Sequence, residues 1–185
     1  MTTALLIVDM LNDFVDGTLA NPASKSTIEP TARLIAAARS ADWPIVYGND
    51  AHRPGDLEFE IFGEHALAGT DGAAVIPELT PAPGDIIVPK RFYSSFTQTD
   101  LDATCRVQGI DHLVLVGQHT DCCCRHTTYD AYLRGIATTV VSDATCVFEP
   151  ADPASVADRQ QRALDYLAFY YKARVADTDA VLAQG

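Results

Sequence analysis

Three adjacent cysteines, Cys122, Cys123 and Cys124, follow the segment Gly117-Gln118-His119-Thr120-Asp121. A strand expected to end near Gly117 would pass through this turn into a helix. A thiol at such a helix start meets unpaired N–H groups and the positive end of the helix dipole. Both would lower a thiol's pKa and could hold an oxyanion. Thr120 or Asp121 could cap the helix. Spacing does not choose among the three thiols, and free cysteines also serve as small core residues. Asp9 directly follows the apolar run 4–8. Lys90, one of three lysines, follows the apolar run 86–88. Taken alone, Asp9 reads as a turn residue and Lys90 as a solvated one. A thiol, a carboxylate and an ammonium brought to one place would form a nucleophile–base set.

A second constellation is Asp50-Ala51-His52, with His65 further on. Residues two apart in an extended chain share a side. A carboxylate with two imidazoles suits Zn²⁺, Mn²⁺ or Fe²⁺. By residue type alone they read as polar loop residues.

The elements that must position these groups are short. Apolar runs at 4–8, 45–47, 86–88, 112–116 and 137–141 are rich in Val, Ile and Leu and do not alternate cleanly. Strands buried on both faces of a parallel sheet read this way. Helical patterns occupy 28–41, 101–108, 123–134 and 154–172, and Gly109 and Gly135 are natural stops for two of them. A last short strand is expected at 174–176. Strand–helix alternation over all 185 residues predicts one α/β layered domain with right-handed crossovers. In such sheets ligands bind beyond the carboxyl ends of the strands, where Asp9, Asp50, His52, Lys90 and the cysteine run all fall. The segment 50–84, dense in Gly, Pro and charge, reads as a functional loop.

The net charge of −12 argues against nucleic acid or an anionic membrane as a partner. No apolar run approaches the ~20 residues needed to span a bilayer, and no signal peptide is legible at the N-terminus. Five cysteines, three of them adjacent, do not make a disulfide framework, so a reducing cytoplasm is expected.

With these residues in view, the chain resembles the isochorismatase-like cysteine hydrolases, especially their nicotinamidase branch. The resemblance rests on four stretches that run in order across most of the chain. They are Leu5-Leu6-Ile7-Val8-Asp9-Met10-Leu11-Asn12-Asp13-Phe14; Val88-Pro89-Lys90 with Tyr93-Ser94-Ser95-Phe96; Val116 through Cys124; and Ser142-Asp143-Ala144. It implies a Rossmann-like three-layer fold, a mostly parallel sheet flanked by helices. It also implies an Asp9–Lys90–Cys123 triad and an oxyanion site at the His119 and Cys123 N–H groups, after a peptide bond that is usually cis. Asp50, His52 and His65 match the branch's metal ligands, with Glu58, Glu60 or Glu64 to complete the shell. The implied ion is divalent, zinc first, with manganese or iron as alternatives. Phe14, Phe62 and Tyr93 would flank the substrate. Leu11, Phe62, Cys122 and Ala66 depart from the Gln, Trp, aromatic and Cys common at those positions. The implied partners are a small amide and further copies of the chain.

The implied reaction is amide hydrolysis through a thioester, with nicotinamide as the first substrate. Ureido, N-carbamoyl or cyclic amide compounds stand second. A thiol redox or small-molecule binding protein is the reading from a different class.

Overall fold

The computed structural model describes residues 2–149 and 155–183. In chain order its main elements are β1 (Thr2–Val8), α1 (Asn12–Val15), α2 (Lys25–Ser40), β2 (Ile45–Asp50), α3 (Phe59–Phe62), β3 (Ile86–Lys90), α4 (Leu101–Gln108), β4 (Ile110–Gln118), α5 (Cys123–Leu133), β5 (Ala137–Cys146), α6 (Val156–Tyr171), β6 (Arg174–Ala176) and α7 (Thr178–Leu182). The six strands form one sheet, in the order β3-β2-β1-β4-β5-β6, and every pairing is parallel. The expected α/β three-layer fold is present, and its sheet is parallel throughout.

Side chains of β1 alternate between two cores. Ala4, Leu6 and Val8 face Leu101 and Cys105 of α4, Ala131 of α5, and Leu164 and Leu167 of α6. Leu5 and Ile7 face Leu34, Ile35 and Ala38 of α2, with Val181 of α7. A central strand covered on both faces must be apolar at every position, which is why the run 4–8 shows no alternation.

Several strands continue past their apolar runs. β2 reaches Asp50, β3 reaches Lys90 and β4 reaches Gln118. Backbone pairing carries them on, since Asn49 pairs with Pro89 and Asp50 with Lys90. α2 begins at Lys25, three residues before the periodic pattern, and contains Pro30. The start expected for α6 at residue 154 lies outside the described residues. Within the segment 50–84 lie α3 and two short 3-10 turns, Asp71–Ala73 and Pro77–Leu79. Among the described residues, no helix is long and apolar enough to cross a membrane.

The strand order reverses direction between β1 and β4. In open α/β sheets this switch point leaves a crevice beyond the strand ends. Gly117 makes the close approach of these two strands possible. Its φ is +106°, and a Cβ there would fall 2.0 Å from the Val8 carbonyl oxygen.

Candidate active site

Asp9 leaves β1 at the switch point with φ +52°, a left-handed conformation uncommon for a residue bearing a Cβ. Its Oδ1 accepts a 2.7 Å hydrogen bond from the Asp50 N–H, and its Oδ2 lies 2.7 Å from Lys90 Nζ. Lys90 is fully buried and also donates to Asp50 Oδ1 at 2.5 Å. The parallel register sets Lys90 beside Asp50, so the ammonium sits between two carboxylates. Burial alone would lower the Lys90 pKa, but Asp50 and Asp9 hold it well above its ordinary value. Burial, helped by the Asp50 charge and opposed by Lys90, pushes Asp9 up to about 7. Asp50 itself is held low, because Lys90 and His52 outweigh the effect of burial.

Cys123 begins α5 and is buried. Its Sγ and carboxylate oxygens of Asp9 and Asp50 all lie within 4.8 Å of one another. The structure thus brings together the three residues that far-separated stretches of sequence suggested. Two expectations about the surroundings are corrected. Neither Thr120 nor Asp121 caps α5: the cap position is Cys122, with no side-chain cap bond. Asp121 instead pairs with Arg159, Oδ2 to Nη2 at 2.8 Å. Nor does the helix start leave the thiol acidic. A hydrogen bond with the Cys122 side chain, together with burial, pushes the Cys123 thiol well up, and Lys90 only partly offsets this.

The Gln118–His119 peptide bond is cis. Among the described residues, neither the His119 N–H nor the Cys123 N–H donates to a backbone oxygen, whereas Cys122 and Cys124 N–H both donate to the His119 carbonyl. Two amide donors beside the thiol therefore remain open.

Asp50, His52, Glu58 and His65 form the second cluster, with one ligand atom of each within 4.8 Å of all the others. Glu58 is thus chosen over Glu60 and Glu64. His52 Nε2 lies 3.6 Å from Asp50 Oδ2 and 3.8 Å from Glu58 Oε2, while His65 Nε2 lies 3.7 Å from Glu58 Oε1. His52 Nδ1 is bound to Asp56 Oδ2 at 3.0 Å and His65 Nδ1 to the Gly63 carbonyl at 2.7 Å. Those bonds fix the two rings with Nε2 facing inward. Asp56 is itself bound by Arg91, which keeps its carboxyl well below the usual range. Asp50 Oδ2, His52 Nε2 and His65 Nε2 are buried and have no hydrogen-bond partner among the described residues. Three orphaned acceptor-capable atoms and an acid, oriented by outer hydrogen bonds, fit a divalent ion.

A cavity of about 210 Å³ opens onto both clusters. Reactive groups Asp9, Asp50, Glu58, Cys122 and Cys123 line it, with Phe14, Leu19, Phe62, His119 and Phe148, and with Gln118, Asp121 and Arg159. Phe14 and Phe62, expected beside a substrate, are in this lining. Tyr93 is not; its ring packs 5.2 Å from that of His126. Leu19, Phe148 and Arg159 belong to no motif and reach the cavity only by folding. Gln118 also lines the cavity. It is buried, donates to the Asp9 carbonyl at 3.1 Å and accepts from Asn21 Nδ2 at 3.1 Å.

Comparison with known proteins places this geometry. The isochorismatase domain family matches residues 3–180. The chain is similar to ureidoacrylate amidohydrolase RutB of Variovorax paradoxus (strain S110), 34% identical over 171 residues, covering 77% of this chain and 68% of that one. Among solved structures it is similar to N-carbamoylsarcosine amidase from Thermoplasma acidophilum, at 40% identity and TM-score 0.86 over 97% of this chain and 98% of that one. It is also similar to nicotinamidase PncA from Bacillus subtilis, at 28% identity and TM-score 0.82 over 96% and 100%. With a matched domain running nearly end to end and the reactive residues gathered at the switch point of its sheet, the chain belongs to the isochorismatase family.

Proposed function

We propose that this chain is a cysteine amidohydrolase that cleaves a C–N bond of a small ureido or N-carbamoyl compound. The observation that carries the reading is the meeting of Asp9, Lys90 and Cys123 beside two open N–H groups. The substrate class is supported by the two relatives, at 40% and 34% identity, whose names specify carbamoyl and ureido compounds.

Asp9, raised to about 7, takes the Cys123 proton as the sulfur attacks the ureido carbonyl. Lys90 keeps its charge throughout and steadies the carboxylate and the developing thiolate. The His119 and Cys123 N–H groups receive the oxyanion. Asp9 returns the proton to the leaving nitrogen, and ammonia departs from the tetrahedral adduct to leave an S-thiocarbamate on Cys123. A water deprotonated by Asp9 then attacks the thiocarbamate and frees the Cys123 sulfur. The released carbamate loses carbon dioxide to give the amine. Asp50, His52, Glu58 and His65 would hold one divalent ion, zinc first, with manganese or iron as alternatives; bound there, it would supply Lewis-acid charge to a substrate atom or water.

A second reading is nicotinamide hydrolysis. It is favoured by the aromatic lining of Phe14, Phe62 and Phe148, which suits a flat ring.

Ammonia release from N-carbamoylsarcosine, ureidoacrylate and nicotinamide separates the two. Turnover of a ureido compound is expected, abolished in Cys123→Ala and slowed at least ~10²-fold in Asp9→Asn. Preferential turnover of nicotinamide would transfer the assignment to the second reading. Undiminished rates in Cys123→Ala would sink both. Metal content is a separate test: His52→Ala and His65→Ala should each lose about one equivalent relative to wild type, and equal content in all three proteins would remove the ion.

A further inference from the structure

Asp9 keeps a backbone conformation that its residue type disfavours. Its φ of +52° lies in the left-handed region, where a Cβ crowds the following carbonyl. Lys90 and the Asp50 N–H hold the carboxylate end. The main chain is held separately. The Asp9 N–H donates to the Gly48 carbonyl at 3.2 Å, and the Asp9 carbonyl accepts from Gln118 Nε2 at 3.1 Å.

Gln118 is in turn oriented by Asn21, and both side chains are fully buried. Asn21 Nδ2 donates to Gln118 Oε1 at 3.1 Å and to the Val147 carbonyl at 3.1 Å, while Asn21 Oδ1 accepts from the Glu149 N–H at 2.9 Å. The sense of this chain of bonds is fixed at both ends. The Glu149 N–H can only donate, so Asn21 turns its oxygen there and its NH2 group toward Gln118. The Asp9 carbonyl can only accept, so Gln118 turns its NH2 group there and its oxygen toward Asn21. Each amide therefore dictates the orientation of the other. The Asn21 N–H is also bound, to the Phe14 carbonyl at 3.0 Å. The pair thus links Asp9 to the two segments that carry Phe14 and Phe148 of the cavity wall. A satisfied buried amide pair gives a direction that apolar side chains of the same volume cannot.

We infer that Gln118 and Asn21 are positioning residues, an amide relay that fixes the Asp9 main chain so that its carboxylate stays within 4.8 Å of the Cys123 sulfur. The inference rests on the reading of Asp9 as the base for Cys123 and deepens it. Asp9 moves the proton, and the relay decides where Asp9 stands.

Alkylation of Cys123 by iodoacetamide, read by peptide mass spectrometry, tests this without a substrate, since the thiol reacts as thiolate and needs its base. Asp9→Asn sets the rate without that base. Gln118→Met, similar in size but unable to donate, should label Cys123 at least ~10-fold more slowly than wild type. Asn21→Leu, away from the cavity lining, should also slow it. The double variant should be no slower than Gln118→Met, because the two amides act in series. A merely structural role predicts the opposite sign: loosened packing would expose the buried thiols and label Cys123 and Cys124 faster. Circular dichroism shows which variants are folded, and if Gln118→Met is not, Asn21→Leu alone decides. Faster or unchanged Cys123 labelling in either folded single variant would overturn the inference, and so would losses that multiply in the double variant. A wild-type rate in Asp9→Asn would remove Asp9 as the base, and the inference with it. If the labelling pattern holds but wild type releases no ammonia from N-carbamoylsarcosine, ureidoacrylate or nicotinamide, the relay stands and the hydrolase reading falls.

Discussion

Asp50 Oδ1 accepts a 2.5 Å hydrogen bond from Lys90 Nζ, while its Oδ2 faces His52 Nε2 at 3.6 Å. One carboxylate therefore belongs both to the buried Asp9–Lys90 ion network and to the four-residue cluster that fits a metal.

This sharing separates two variants that sequence alone would treat alike. Asp50→Ala should lose the proposed ion and also disturb Lys90 and Asp9, lowering the rate even when metal is supplied in excess. His52→Ala should lose the ion and regain part of its rate in excess metal. Metal content and ammonia release, measured with and without added zinc, check this. Identical behaviour of the two variants would show that Asp50 acts through the ion alone.

Lys90→Met removes the one cation between Asp9 and Asp50, both buried. Breaking a buried pair from one side costs about 3–5 kcal/mol, and here two carboxylates are left facing each other. The variant should unfold at markedly lower urea concentration than wild type and should be inactive. A wild-type midpoint would show that one of the acids takes up a proton at little cost.

Gly117→Ala should be more damaging than its size suggests. The added methyl would fall 2.0 Å from the Val8 carbonyl oxygen, at a φ of +106°. Since backbone on both sides resists movement, a loss of about 3 kcal/mol or more is expected. Denaturant titration gives the value, and a loss below ~1 kcal/mol would mean that β1 and β4 part more readily than their packing implies.

His112 bridges β1 and β5, its Nδ1 3.1 Å from Thr3 Oγ1 and its Nε2 2.9 Å from Thr139 Oγ1. Burial lowers its pKa, with Arg174 acting in the same sense and Asp111 against. The folded state thus binds this proton less readily than the unfolded chain. Its contribution to stability is complete above the unfolded value near 6.5 and is lost as pH falls from there through the folded value. Between pH 7 and 5 the thermal midpoint should fall more steeply in wild type than in His112→Gln. Parallel slopes would show that the imidazole takes up its proton without cost.

The sequence by itself determined the layers of the fold, because that information is local. Unbroken apolar runs such as 4–8 mark strands covered on both faces, and glycines after 108 and 134 mark helix ends. It also determined which residue types could react, since Asp9, Lys90 and the cysteine run each follow an apolar stretch. The tertiary structure decided everything that depends on register and on distant segments meeting. It made Asp50 the neighbour of Lys90 through the pairing of β2 with β3. It chose Glu58 from three candidate acids through the turn of α3, and it brought Arg159 and Phe148 into the cavity. It also reversed the expected direction of the Cys123 pKa. A helix start lowers a thiol's pKa only where charge and dipole outweigh burial, and at Cys123 the neighbouring Cys122 and the buried setting prevail. Electrostatic balance of this kind depends on distances in three dimensions, which residue order alone does not carry.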